Sequence, residues 1–571
     1  MQKSNFVVEY SLQTTKWQED AINKRLNIIT NIYNSIIRIY NKIFNELYKD
    51  KEYKEINDEL FSNERRKEIK KRIKDLTLEF GKDGINKNEE YITLKEELDN
   101  LKNIVSVTRK NELYFNRNQI LLKYHLNQYD IYNIFGQPMY KHFKSSGQTG
   151  KNGITSNLIQ KLCNENIWSA VNKKIKNEKI QLSYKNKNDI NSICGGRIDN
   201  KKENKIYYQT IKFDINNCIV TFGNIEMKVL INHNKQYDID AISPPNDIKF
   251  GTIVRKKIRG KYRYYLQLTI EGYVPEKKNR TLGTGKVGLD IGTQTLAITS
   301  DTHVEMIELC DRVSFMEKEL RLHQRKLDRS RRINNPHFYN EKGEIIKKFS
   351  NDNKQILLDK GLIFITKSGK INRKWKHSNN YFKTKNQISE IKRKQSAVRR
   401  LQHNELSNKV LKLGDEVYIE KMCWSGLSKR SKETTINKNG KFNRKSRFGK
   451  SIGHRAPATF TTLLENKLKI LGGSYVEINT KECAASQYNH FSEEKIKKPL
   501  SKRWNYFIDN NGNKCKVQRD LYSSFLIQHV NKDLKTYDNK KLHKDFKNWL
   551  ILHNKEIEIL KTKQNLSSIG I

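Results

Sequence analysis

The sequence predicts a multidomain α+β protein in three parts. One apolar strand precedes a long stretch of helical periodicity. A run of alternating strands follows, and the last half alternates strands with helices. At about 150 residues per domain, a chain of 571 residues is long enough for several cores.

The first strand is "FVVEYSL", within residues 1–14. Thr15 stands at an N-cap position, with Gln18 three residues on as its capping-box partner. Ile22, Leu26, Ile29, Tyr33, Ile36, Tyr40, Ile43 and Leu47 then recur at steps of three and four, one face of a long amphipathic helix. Trp17, Tyr33 and Tyr40 on this helix read as core residues. Charged helical stretches continue through residues 15–179, broken near "GKDGINKN" and "SSGQTGKNG". A helical domain inserted after one strand is the result.

Residues 180–283 change character. "YYQTIKFD", "NCIVTFG" and "EMKVLINH" read as strands. "GTIVRKKIRGKYRYYLQLTIEG" reads as a hairpin turning at Arg259-Gly260, with Tyr264, Leu266, Leu268 and Ile270 on one face. A small β-barrel or a curved sheet, joined by the first strand, accounts for the pattern. "PEKKNRTLGTGK" is a linker.

From residue 284 to 571 the order is strand, hairpin, strand, helix, strand, helix, strand, helix. "KVGLDIGTQTLAITSD" and "HVEMIELC" give three strands, and residues 312–332 a basic helix with Val313, Met316, Leu320 and Leu327 as its apolar stripe. A polar insertion occupies 336–379. A second long helix ends with Gly414 as its C′ residue. "EVYIEKM", a basic loop at 425–452, a helix from Pro457 to Leu471 and "SYVEINT" complete the order. It is that of a ribonuclease-H-like layer.

Charge narrows the partners. Lys plus Arg number 110 and Asp plus Glu 63, a net +47 spread along the whole chain. Such a charge repels itself on one body and is relieved by a polyanion, so extended nucleic-acid grooves are expected. A halo of solvated lysines is the plainer alternative. Disorder is excluded by a 36% hydrophobic and 10% aromatic content. No apolar run approaches the roughly 20 residues of a membrane span, and "MQKSNFVVEYSLQ" lacks a signal-peptide core. The seven cysteines, Cys163, Cys194, Cys218, Cys310, Cys423, Cys483 and Cys515, are scattered without a C-x-x-C pair. A reducing cytosol fits, without a disulfide framework.

Three acids carry the chemistry. Asp290 in "VGLDIG" lies near the end of an apolar strand, where an unpaired carboxylate is costly to bury. Glu420 ends the apolar strand "EVYIE". Asp520 in "VQRDLYSSFLI" precedes an apolar helix of small residues, with Arg519 beside it to offset charge. Each acid alone could merely cap a turn. On one sheet, the three could converge and bind two Mg²⁺ ions roughly 4 Å apart, one activating water and one steadying the leaving oxygen. Carboxylates suit Mg²⁺, whereas thiolates would suit zinc. "DIGTQ" is also like the first phosphate loop of actin and sugar kinases, but no second phosphate loop or adenosine motif follows.

"GLDIGTQTLAI", "VYIEKM" and "VQRDLYSSFLI" resemble the three split RuvC motifs of the transposon-encoded TnpB proteins and the compact type V CRISPR effectors. The basic stretches "LRLHQRKLDRSRR" and "SNNYFKTKNQISEIKRKQSAVRRLQHNELSNKVLK" resemble the helices between the first two motifs. The resemblance covers 284–531; the N-terminal half is similar only in architecture. It implies a helical recognition domain (15–179) inserted in a wedge β-barrel (1–14 and 180–283), followed by a RuvC nuclease domain (284–571). It further implies an RNA-guided DNA endonuclease that pairs a guide RNA with double-stranded target DNA next to a short flanking motif. Asp290, Glu420 and Asp520 would be its metal ligands. A monomer in the prokaryotic cytosol is expected.

The chain departs from that family in two places. The zinc ribbon between the second and third motifs lacks its cysteine pairs at 481–517, and Cys483, His490 and Cys515 are wrongly spaced to replace it. A zinc-free region is expected. The family's frequent Asn two residues after the third acid is Tyr522 here.

Arg321, Arg325, Arg329 and Arg332 repeat on one helix face and are expected to contact the guide–target duplex. Lys429, Arg430, Lys441, Arg444, Lys445 and Arg447 lie in the loop after Glu420 and could lead single-stranded DNA to the site. A guided repressor without cleavage, a DDE-type transposase or integrase, and a guide-independent junction resolvase are the rival readings. Presence of all three acids disfavours the repressor.

Overall fold

The computed structural model describes the chain apart from residues 1–3, 62–67, 70–71, 74, 78, 80–88, 104–106, 146–153, 178–179, 196–209, 233–234, 276–279, 342, 367–368, 431–447, 498, 500–501, 509–511, 513 and 563–571. The described residues divide into two compact units. One holds Ser4–Lys257 and Tyr262–Gly272, and the other Ile258–Lys261 and Tyr273–Ile571. Among the described residues, no helix is long and apolar enough to cross a membrane.

In the first unit, β1 (Ser4–Gln13) leads directly into α1 (Lys16–Leu47). The Thr15 N–H donates to Gln18 Oε1 at 2.7 Å, closing the Gln18 half of the capping box. Ile22, Leu26, Ile29, Tyr33, Ile36, Tyr40 and Leu47 are buried along one face. Trp17 is not core as expected: it is 55% exposed. The buried stripe begins at Gln18, and one residue along a helix turns a side chain by about 100°.

The six further strands of this unit are β2 (Ser192–Cys194), β3 (Ile211–Asp214), β4 (Ile219–Phe222), β5 (Ile225–Leu230), β6 (Asp247–Ile258) and β7 (Lys261–Gly272). They form an antiparallel sheet in the order β2-β6-β7-β1-β5-β4-β3. The sheet is nearly closed. A Cβ placed at Gly195, after β2, would come 3.1 Å from Ile211 Cβ of β3, and one at Gly251 of β6 would come 3.2 Å from the same side chain. The two glycines let the edges approach. The β6–β7 turn falls at Arg259 (φ 50°) and Gly260 (φ 81°), the left-handed pair that a tight hairpin requires. Tyr264, Leu266, Leu268 and Ile270 face inward as expected and share one core with α1.

The second unit is built on a five-stranded sheet of β8 (Lys286–Ile291), β9 (Thr295–Ser300), β10 (His303–Glu308), β13 (Glu416–Glu420) and β14 (Ser474–Ile478). Its order is β10-β9-β8-β13-β14. β8 runs antiparallel to β9 and parallel to β13, and β13 parallel to β14. Period-two alternation divides its faces. Val287, Leu289, Ile291, Val417 and Ile419 pack with α4 (Asn379–Leu413) and α6 (Pro457–Leu471). Tyr418, Ile478 and Met306 pack on the other face with α7 (Arg519–Gln528) and α8 (Asn539–Thr562).

Three local expectations change. The basic helix is broken at Phe315–Met316 into a short turn, Asp311–Ser314, and α2 (Glu317–Asn334). Gly414 ends α4 with φ 175°, which is extended backbone and not the left-handed C′ geometry. Glycine is needed there for room, since a Cβ would lie 2.3 Å from the Gly285 carbonyl oxygen. The insertion at 336–379 is not merely polar. Phe338, Leu357 and Ile363 form a small core of their own, with Phe349 and Trp375 against it. It contains α3 (Asn351–Asp359) and the hairpin of β11 (Ile363–Ile365) and β12 (Ile371–Arg373).

Candidate active site

Strand register sets the first two acids side by side. On the parallel β8–β13 pair, Val417 meets Val287, Tyr418 meets Gly288 and Ile419 meets Leu289. One step further, Glu420 reaches Asp290. Their neighbours Leu289 and Ile419 point to the α4–α6 face, so alternation turns Asp290 and Glu420 toward the α7 face.

Helix α7 supplies the third acid. A Cβ at Gly288 would lie 2.1 Å from the Ser524 carbonyl oxygen and 2.5 Å from the Gln528 nitrogen. Only glycine at this strand position lets the helix backbone lie against the sheet. Thr299 and Ser524 share a buried hydroxyl hydrogen bond of 2.7 Å, and Gln528 Nε2 donates to Asp301 Oδ1 at 2.6 Å and to the Lys286 carbonyl at 3.2 Å. These contacts fix the rotation of α7. The Gln518 side chain caps it, accepting from the Asp520 N–H at 2.6 Å and the Leu521 N–H at 2.9 Å. Asp520 therefore sits in the first helical turn and not ahead of the helix.

Electrostatics couple the three groups. Burial, followed by the charges of Asp520 and Glu420, holds the Asp290 carboxyl well above the ordinary carboxylate range; Arg519 and a Ser523 hydrogen bond oppose this. Burial pushes the Glu420 carboxyl up to about 7. Asp520 is gripped by two guanidiniums. Arg519 Nη2 lies 3.0 Å from Oδ1, and Arg503 Nη1 lies 3.4 Å from Oδ2. Among the described residues, no group of three or more His, Cys, Asp and Glu side chains is arranged to hold a metal ion as it stands.

Arg503 had no signal in the sequence. It reaches Asp520 because β15 (Trp504–Ile508) and β16 (Lys514–Gln518) form a hairpin that brings Arg503 beside Arg519, whose N–H donates to the Arg503 carbonyl at 2.9 Å. This hairpin lies where the cysteine pairs are missing. Cys483 Sγ donates to the Leu534 carbonyl, and His490 Nδ1 meets the Tyr522 hydroxyl at 2.6 Å. Cys515 pairs across the hairpin with Phe507. Tyr522 is wholly buried among aromatic rings, so it packs the helix and does not point at the acids' solvent.

The basic candidates have separate places. Arg321, Arg325, Arg329 and Arg332 are exposed on α2, and Arg321 pairs with Glu317 at 2.8 Å. Lys429 and Arg430 are exposed after Glu420. Lys441, Arg444, Lys445 and Arg447 lie outside the described residues. Beyond them, α5 (Gly449–Arg455) is tied down near the acids: Ser451 Oγ donates to the Thr293 carbonyl at 2.8 Å, in the β8–β9 turn. A cavity of about 610 Å³ between β10 and α4 contains none of the three carboxylates.

No family model matches the sequence, and no curated protein matches it. Among solved structures, the chain is similar to a cryo-EM "Cas12f1-sgRNA-target DNA complex", with a TM-score of 0.40 and 12% identity over 93% of this chain and 99% of that one. A "CRISPR-Cas12f Ternary Complex" gives a TM-score of 0.23 and 13% identity over 93% and 100%. The likeness is loose.

Proposed function

We propose that the chain is an RNA-guided DNA endonuclease with one RuvC-type site. The observation that carries this reading is the meeting of Asp290, Glu420 and Asp520 on one face of a β10-β9-β8-β13-β14 sheet. The net charge of +47 supports a polyanionic partner. The three split motifs support the TnpB and compact type V resemblance.

The donor set suits a hard divalent cation. Burial, followed by the charges of Asp520 and Glu420, raises the proton affinity of Asp290, a cost that a bound cation would offset. Asp290, Glu420 and Asp520 would hold Mg²⁺, which supplies an activated water and a counterion for the phosphodiester. The chain's own parts do the rest. Gly288 seats α7, Gln518 caps it, and Arg519 with Arg503 orients the Asp520 carboxylate. The barrel and helical regions would serve as wedge and recognition domains, and α2 would track the guide–target duplex.

The test is to purify the protein expressed with its native flanking DNA and to sequence the RNA that accompanies it. One abundant RNA with a variable end is expected. Random fragments alone would overturn the guided reading in favour of a transposase or a junction resolvase.

A further inference from the structure

The insertion at 336–379 leaves a second surface that the cutting site does not use. Its two chain ends are pinned together. The buried Asn335 donates from Nδ2 to the Arg331 and Lys376 carbonyls at 2.8 Å each, and its Oδ1 accepts the Lys376 N–H at 2.7 Å. Arg331 lies over the Trp375 ring, 3.9 Å from its centroid. The module thus rises from the α2–α4 helix pair on a fixed base, with its own core.

The hairpin of this module has two unlike faces. Ile363 is buried, and its cross-strand partner Arg373 turns inward over the Phe349 ring. Phe364 and its partner Asn372 face outward, with Phe364 45% exposed. The ladder continues beyond the strands, since the Lys374 N–H donates to the Leu362 carbonyl at 2.8 Å and the Thr366 N–H to the Lys370 carbonyl at 2.9 Å. Period two then places exposed Lys370 and Lys374 on the same face as Phe364 and Asn372, each about 7 Å along the strand from Asn372.

We infer that this outer face binds an unpaired nucleic-acid strand. An exposed ring offers a stacking surface that any base accepts, and flanking cations follow the backbone. Asn372 beside the ring can pair with a base edge through its amide. Charge favours this occupant over a protein surface of ordinary composition. Between residues 336 and 379 stand ten Lys and Arg against four Asp and Glu. The inference does not depend on a guide or on cleavage, so it can fail while the endonuclease reading stands, and the reverse.

The experiment uses the full chain with Phe364→Trp and follows tryptophan fluorescence against the unsubstituted protein. Short dT and U oligonucleotides are added in the presence of excess duplex DNA, which occupies general phosphate sites. Added quenching by the unpaired oligonucleotides, absent with duplex alone, is expected; the tighter of the two identifies DNA or RNA as the strand. Phe364→Ala should weaken that binding about tenfold, from the loss of one stacked base. Replacing Lys370 and Lys374 together by Ala should lower the log–log salt slope by about 1.4, two single-strand phosphates. Equal quenching by duplex, no change in Phe364→Ala, or quenching that follows protein concentration alone would overturn the proposal. The last result would mean that the face holds a second copy of the chain.

Discussion

Glu420 stands beside Asp290 because β13 and β8 run parallel in register, one step past the Ile419–Leu289 pair. The adjacency is a property of backbone pairing and not of a flexible loop. Two carboxylates so placed, under a helix that brings Asp520, share a need for positive charge. Substituting Asp290→Ala or Glu420→Gln should reduce cutting by roughly a hundred- to a thousandfold, the rate equivalent of several kcal/mol of charge stabilisation. Guide-directed DNA binding should survive. Cleavage and gel-shift assays on the same preparations check both halves.

Gly288→Ala should act on the site through packing. The added methyl meets backbone atoms at 2.1 and 2.5 Å, which cannot rotate away. A loss of roughly 1–3 kcal/mol or more is expected from overpacking of this kind. Gly453→Ala is the control, since a Cβ there meets nothing within 4 Å and lies inside α5. Thermal unfolding should show a clear fall in Tm for the first and none for the second.

Acid should destabilise the second unit through Glu305. Burial raises this carboxyl's pKa, but hydrogen bonds from His303 and Lys409 outweigh it and bring the value down to about 2. A depressed carboxylate stabilises the fold above its unfolded pKa of about 4.5 and loses that contribution as pH falls toward 2. Glu305→Gln should be less stable than the wild type at pH 7, and the gap should close as pH falls through that window. Denaturant melts at a series of pH values measure it.

The arginines of α2 should contribute uniformly. Arg325→Ala and Arg329→Ala, both exposed, should each lower the salt slope of nucleic-acid binding by about 1 if each meets one phosphate. Binding titrations across a range of salt concentrations give the slope. An unchanged slope would mark these residues as a solvated face.

Much of this fold was legible because it rests on periodicity. The stripe of α1, the barrel hairpin at Arg259-Gly260 and the strand–helix order after residue 284 all depend on spacing that a sequence displays. The three acids were legible for a related reason: each interrupts an apolar strand or leads an apolar helix. What could not be read depends on distant chain. Arg503 meets Asp520 only through a hairpin across the cysteine-poor region. Gly288 looks like a flank of a motif until α7 is laid on it. Trp17 misled because apolar character was weighed without its angle on the helix. The insertion looked polar because its few apolar residues are scattered among lysines, and only folding gathers Phe338, Phe349 and Trp375.

The central claim is that Asp290, Glu420 and Asp520 form one cation-dependent cutting centre directed by RNA. The most direct measurement is cleavage of a matched duplex by the protein with its co-purified RNA, with Mg²⁺ or with a chelator, for wild type and Asp290→Ala in parallel. The account predicts fast cutting only by wild type with Mg²⁺, a rate at least about a hundredfold lower for Asp290→Ala, and undiminished target binding by the variant. Cutting by Asp290→Ala near the wild-type rate, or cutting by wild type in the chelator, would contradict it.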